Sequence, residues 1–419
     1  MRVSLAARQW SVVLPEPAEE APAWDAPARS TEGVQRAFDD AIFRLNTGAA
    51  SGDEAAIALM HTLRESGAGP VPVEVREDGG ISLFVGPCPE GEPPIEVRGT
   101  FTGWQPDDAA RFAEISAGLC GRYIEHGPRE QYKLVFNGGA AWFTDLSNRH
   151  IAWDGLNPNG VGEFNSVVTT ATAPDAAGRM VWLRGVESPQ LGNARDVYVW
   201  LPPQYDAQPA GRFPTLYLHD GNESIVRSQL HEVLASHASD QGEPVIGVFI
   251  HLPTQDVRIA EYTMATADAR GDQYAAFVTE TLVPRIDARF RTRADRAARG
   301  LAGASLGGLI SYHIATRAPQ VFEYAAGMSS SFWWEDRWMI QRVDTLGCQG
   351  LTYYLDSGNG GASQDGAPDT RLMRDTLDRL GCPYTHVEED GATHDWSFWK
   401  GRFPGVLSAF KAVYSRQVP

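Results

Sequence analysis

Apolar positions fall first at helical spacing and then in alternation. Val34, Phe38, Ile42 and Leu45 predict a helix over Gly33–Asn46. A second is expected from Asp53 to Glu65, with Ser51 or Asp53 near its start and Gly67 after its end. Ahead of them, residues 15–32 are rich in Pro, Ala and Glu and read as an extended lead-in. From Val71 the period becomes two. Val73-Glu-Val75, Ile81-Ser-Leu-Phe-Val85 and Ile95-Glu-Val-Arg-Gly99 predict short strands between Gly/Pro turns. Phe101-Thr-Gly-Trp104, Tyr132-Lys-Leu-Val-Phe-Asn-Gly138 and Trp142-Phe-Thr-Asp145 extend the series. Together they predict a β-sandwich of roughly 90 residues.

Beyond a Thr/Ala/Pro-rich stretch the pattern changes again. Arg179-Met-Val-Trp-Leu183 and Arg195-Asp-Val-Tyr-Val-Trp-Leu201 predict strands. Pro214-Thr-Leu-Tyr-Leu-His219 and Val245-Ile-Gly-Val-Phe-Ile250 are continuous apolar runs, as parallel strands buried on both faces require. Helical patterns follow, among them Gln273–Phe290 and a run from Leu309 stopped by Pro319. Strand alternating with helix predicts an α/β domain with a mostly parallel sheet. The expected organisation is a helical segment at 1–69, a β-sandwich at 70–155, a linker at 156–178 and an α/β domain at 179–419.

Composition narrows the partners. The 36 basic against 53 acidic residues give a net charge of −17, which disfavours nucleic acid. No apolar run reaches the length of a membrane span, and the N-terminal residues lack a sustained apolar signal region. Cys88, Cys120, Cys348 and Cys382 lie far apart with no C-x-x-C pair. That points away from a disulfide framework or a zinc ribbon and toward a reducing compartment, so a cytoplasmic location is expected.

The chemistry centres on Gly303-Ala-Ser305-Leu-Gly307. With a short strand before it and a helix after it, this G-x-S-x-G pattern has the context of a nucleophile elbow. Ser305 is the candidate nucleophile, and the amide of Leu306 a candidate oxyanion donor. A serine nucleophile needs a base and a carboxylate to orient that base. His394, in a polar turn after a predicted strand, is the expected base, ahead of His386 within that strand and His313 on the post-elbow helix. The acid is expected from the loop after Leu351–Asp356, with Asp365 first and Asp369 and Asp356 as alternatives. A second oxyanion donor is expected from Gly221 or Asn222, after the strand ending in Leu218-His-Asp220.

The order F-x-G-W, then Y-K-L-V-F-N-G, then D-x-x-N resembles early-set, immunoglobulin-like modules related to glycogen-binding domains. In such modules tryptophans stack on sugars, which makes Trp104 and Trp142 candidates for glycan contact beside an ordinary packing role. The later series is Leu218-His-Asp-Gly221, Arg258-Ile-Ala-Glu-Tyr262, the elbow, Met328-Ser-Ser-Ser-Phe-Trp-Trp334 and Gly391-Ala-Thr-His-Asp395-x-x-x-Trp399. With the module before it, this series resembles the enterochelin (ferric enterobactin) esterase family, within the esterase D-like α/β-hydrolases. The resemblance implies an α/β-hydrolase fold and a serine esterase with an acyl-enzyme, cleaving a catecholate siderophore to release iron. It implies Ser305 as nucleophile, His394 as base, and Arg258, Trp333 and Trp334 beside a small-molecule ester. It implies no metal cofactor, since iron would arrive with the substrate. Two rivals stand: a feruloyl- or acetyl-type esterase acting on carbohydrate, and a glycan-binding protein with an inactive hydrolase domain.

Overall fold

The computed structural model describes residues 41–416 except 43, 49–57, 61–62, 64–68, 77, 89–92, 117, 146, 149, 157–161, 170–177 and 241–243. The lead-in at 15–32 and much of the two N-terminal helices expected lie outside the described residues. The chain divides into two compact units, Met1–Asp175 and Ala176–Pro419. Among the described residues no helix is long and apolar enough to cross a membrane.

Among its described residues the first unit holds two sets of antiparallel strands. One runs Val71–Arg76, Gly79–Pro87, Leu119–His126, Ala113–Ser116. The other runs His150–Leu156, Gly162–Thr169, Arg129–Phe136, Glu96–Gly99, with Ala141–Phe143 beside Arg129–Phe136. Alternation decides which residues face where. Phe84 joins Ile95, Val97, Phe112, Tyr132 and Leu134 in one core, while its neighbours Leu83 and Val85 pack with the helical Ala41, Leu45, Leu59 and Leu63 in another.

The segment 156–178 departs from the expected linker, because Gly162–Thr169 is a strand paired on both sides. Its buried Asn165 and Ser166 interrupt the apolar alternation that would have announced it. Asn165 Nδ2 and Ser166 Oγ find partners inside the unit, while Asn165 Oδ1 has none. Asn165 Nδ2 donates to Gln131 Oε1 at 2.9 Å, and Ser166 Oγ accepts the Asp145 amide at 2.7 Å.

Among its described residues the second unit is built on eight strands, in the order Arg179–Ser188, Asn193–Leu201, Ile246–Ile250, Thr215–Leu218, Arg299–Ala304, Tyr324–Met328, Thr352–Gly358, Tyr384–Glu389. The pairings of the first three are antiparallel and the rest parallel. Numbered along the chain, the order reads 1-2-4-3-5-6-7-8, the mixed sheet of a hydrolase-type α/β fold. The strands Ile246–Ile250, Thr215–Leu218 and Arg299–Ala304 are buried at every residue, as parallel strands covered on both faces are. The long helix expected over Gln273–Phe290 runs from Gly271 to Arg289, with a π-helical middle at Phe277–Leu282 ahead of Pro284.

The cysteine expectation is overturned. Cys88 pairs with Cys120 and Cys348 with Cys382, each pair within one unit. Separations of 32 and 34 residues carry no motif, because tertiary packing makes the pairs. Cys88 follows the strand that lies opposite Cys120. Cys348 and Cys382 each sit just past the end of a helix, Trp334–Leu346 and Ala367–Leu380. Disulfides persist where the surroundings are oxidising, so the ground for a reducing compartment falls away.

Candidate active site

Ser305 stands at the junction of the strand Arg299–Ala304 and the helix Leu306–Arg317, with φ 57° and ψ −120°. A non-glycine residue holds positive φ only where its surroundings impose it. Here the Ser305 N–H donates to the Met328 carbonyl at 2.9 Å, and the Ser305 carbonyl accepts from the Ser331 N–H at 3.1 Å. Gly303 makes the turn sterically possible, since a Cβ there would lie 2.5 Å from the Gly307 carbonyl carbon. The Ser305 hydroxyl lies 3.3 Å from Ser331 Oγ, and no hydrogen bond joins it to His394 in this geometry.

His394 follows the strand Tyr384–Glu389, and its Nδ1 lies 2.7 Å from Asp365 Oδ1. An ionised carboxylate only accepts, so Nδ1 carries the hydrogen and Nε2 is left as the basic nitrogen. The ring meets Trp399 edge to face, with centroids 4.8 Å apart. Asp365 is buried and well supplied with donors. Its Oδ2 accepts from Ser329 Oγ and from the Gly358 N–H, both at 2.6 Å. Burial pushes its carboxyl up, but the hydrogen bonds from His394, Ser329 and Gly358 together hold it below the ordinary carboxylate value.

The other two aspartates are engaged elsewhere. Asp356 lies within Thr352–Gly358, and its Oδ1 accepts from Arg402 Nε at 2.9 Å and from the Ser329 N–H at 3.2 Å. Burial pushes it up to about 6 against the pull of Arg402. Asp369 lies in the first turn of Ala367–Leu380 and accepts from Arg337 Nε at 2.6 Å. Of the three, only Asp365 meets His394.

Three residues to which no role was assigned from the sequence hold this pair. Ser329 Oγ accepts from Trp399 Nε1 at 2.9 Å and from Arg402 Nη2 at 2.8 Å, and it donates to Asp365. Arg402 also donates from Nη1 to Glu389 Oε2 at 3.0 Å. Trp399 and Arg402 are three apart on the helix Trp396–Tyr414, so they share a face directed at the dyad. That spacing after His394 was the available signal.

On the other side of the elbow, the strand Thr215–Leu218 ends in His219 and Asp220, and Gly221 opens the short helix Gly221–Val226. Gly221 is pressed on the next strand, where a Cβ would meet the Phe249 carbonyl carbon at 2.6 Å. Arg258 grips Asp220 through two bonds of 2.7 Å, Nε to Oδ1 and Nη2 to Oδ2. Glu261 binds the buried Arg195 instead, at 2.9 Å. Trp333 is 54% exposed. Trp334 is half-buried, its ring 5.6 Å from that of Trp333 and its Nε1 donating to the Met264 carbonyl at 3.3 Å. The next three residues, Glu335 to Arg337, all take positive φ, and the Arg337–Asp369 bond ties that turn down.

A protein-family model described as "Putative esterase" matches residues 188–410, more than half of the chain and including every one of these site residues. The chain belongs to the esterase family. It is a carboxylic ester hydrolase. Its relatives include the uncharacterized protein YbbA of Bacillus subtilis, 26% identical over 51% of this chain and 86% of that one. The endo-1,4-beta-xylanase/feruloyl esterase of Xylanibacter ruminicola is 30% identical over 33% of this chain and 20% of its own length. Among solved structures, the enterobactin esterase of Shigella flexneri, in the presence of enterobactin, shares the fold with a TM-score of 0.50. It is 18% identical, and the match covers 84% of the esterase described here and 97% of that chain.

Proposed function

We propose that the esterase works through a covalent acyl-enzyme on Ser305, and that its substrate is a catecholate siderophore ester. The observation that carries the chemistry is the 2.7 Å bond between His394 Nδ1 and Asp365 Oδ1, which leaves Nε2 to take the serine proton. Ser305 Oγ attacks the ester carbonyl, and the amides of Leu306 and of Gly221 or Asn222 receive the oxyanion. His394 then protonates the leaving alcohol and activates water for deacylation. The siderophore reading draws on Trp333 and Trp334, whose rings suit a catechol. It draws also on the enterobactin esterase likeness, which covers more of the chain than the second unit alone. In this reading the first unit is an early-set, immunoglobulin-like module, and ester cleavage frees iron in the cytoplasm.

A second reading is favoured by the two disulfides. They suit an oxidising compartment, where a feruloyl or acetyl ester of carbohydrate is the accessible substrate. The half-buried Trp104 and the exposed Trp142, with ring centroids 6.4 Å apart, would then offer a platform for the glycan. One experiment separates the two: hydrolysis of ferric enterobactin, methyl ferulate and acetylated xylan, followed by mass spectrometry. Turnover of ferric enterobactin supports the siderophore reading, and turnover of the other two alone overturns it. Labelling by a fluorophosphonate that is lost in Ser305→Ala tests the nucleophile.

A further inference from the structure

We propose that Arg258 acts on the reaction through Asp220 and not on the substrate. It neutralises a buried carboxylate that the fold sets beside the elbow, so that no fixed negative charge opposes the oxyanion. The proposal rests on the acyl-enzyme reading above, with Ser305 as nucleophile and the Leu306 amide as donor.

Asp220 has φ 52° and is buried. Its position relative to the elbow is set by Gly307, where a Cβ would lie 3.1 Å from Asp220 Oδ2. The carboxylate therefore rests against the residue that follows Leu306. Donors are effective at such a place because the surroundings are poor in water, and an uncompensated anion there is harmful for the same reason. The turn Arg258–Tyr262 meets Asp220 twice. Arg258 takes both carboxylate oxygens at 2.7 Å, and the Tyr262 hydroxyl accepts the Asp220 N–H at 2.9 Å. Tyr262 is fully buried, and Arg258 lies over its ring at 5.5 Å. Glu261, between them, is spent on Arg195 and Asn193.

Each polar residue of the turn thus has a partner in the fold. A guanidinium whose fork is filled by a carboxylate has little net charge left for an anionic ligand. Arg258 is accordingly a positioning and charge-balancing residue. Asp220 in return anchors the loop that leads into Gly221 and Asn222.

The test uses p-nitrophenyl acetate, an uncharged ester, and the full chain. Arg258→Gln should lower kcat about a hundredfold while KM stays within about threefold, since only the transition state carries the opposed charge. Adding Asp220→Asn removes that charge, and kcat should recover at least about tenfold over the single variant. Arg258→Lys keeps the charge but loses the two-pronged grip, so its kcat should fall between those of wild type and Arg258→Gln, which also serves if the glutamine variant does not fold. A lysine variant no faster than Arg258→Gln overturns the proposal. So does a double variant no faster than Arg258→Gln. So does an Arg258→Gln enzyme that turns over p-nitrophenyl acetate normally but shows a raised KM for the anionic mono-p-nitrophenyl succinate, which would make Arg258 a substrate anion receptor. Ser305→Ala separates the two levels of failure. If it retains wild-type turnover, the acyl-enzyme reading fails; if it is inactive and the double variant is not rescued, the role of Arg258 alone fails.

Discussion

The end of the strand Thr352–Gly358 and the loop beyond it each carry a buried aspartate, and both touch Arg402. Their proton affinities nevertheless move in opposite directions. Asp356 is pushed up to about 6, because burial outweighs the Arg402 guanidinium, the Tyr354 hydroxyl and the Ser329 amide. Its Oδ2 has no hydrogen-bond partner. Asp365, equally hidden from solvent, is held below the usual range because His394, Ser329 and Gly358 all donate to it. Low exposure alone does not decide whether a carboxylate stays ionised; the balance between desolvation and the groups that favour the charged form does. That difference makes Asp365 fit to orient a histidine and leaves Asp356 as scaffolding for Arg402.

The sharpest way to break the contrast is to remove each charge in turn. Asp365→Asn should lower kcat on p-nitrophenyl acetate by roughly 10³–10⁴-fold, since the wrong histidine tautomer is then favoured. Asp356→Asn should cost less than about tenfold, and equal losses would erase the distinction. Arg402→Met leaves Asp356 without its cation, and urea denaturation should reveal a destabilisation of roughly 3–5 kcal/mol. A change below about 1 kcal/mol would mean that the guanidinium does not hold the two carboxylates together.

The pH dependence of stability sharpens the same comparison. Asp356 binds its proton more tightly folded than unfolded, so its stabilising contribution is complete below the ordinary value of 3.8 and is lost as pH rises through about 6. The shift corresponds to about 3 kcal/mol. Between pH 4 and pH 7 the wild type should therefore lose about that much more stability than Asp356→Asn. Parallel stability curves for the two proteins would contradict this. Ser329→Ala should cost about 1–3 kcal/mol, because it strands the buried donor Trp399 Nε1 and takes one partner from Arg402 Nη2. Its kcat should fall by about tenfold through a looser Asp365, and thermal unfolding with steady-state kinetics would separate the two losses.

Ser305, His394 and the parallel strands were legible because each is announced locally. The elbow needs small residues at Gly303 and Gly307, and buried strands need unbroken apolar runs. Residues 156–178 misled, because Asn165 and Ser166 are polar yet hydrogen-bonded within the unit, and polarity alone cannot be told from a linker. The cysteines misled for a related reason. Partners 32 and 34 residues apart meet only after strands and helices have packed.

By itself, the sequence determined the elements, their order and the short list of groups that could do acyl chemistry, since local sterics and periodicity act over a few residues. Which aspartate orients His394, what Arg258 is bound to, and how Ser329, Trp399 and Arg402 brace the site were decided by tertiary structure alone. Those choices depend on distances between segments up to 73 residues apart, such as Arg402 and Ser329, and no local pattern records them.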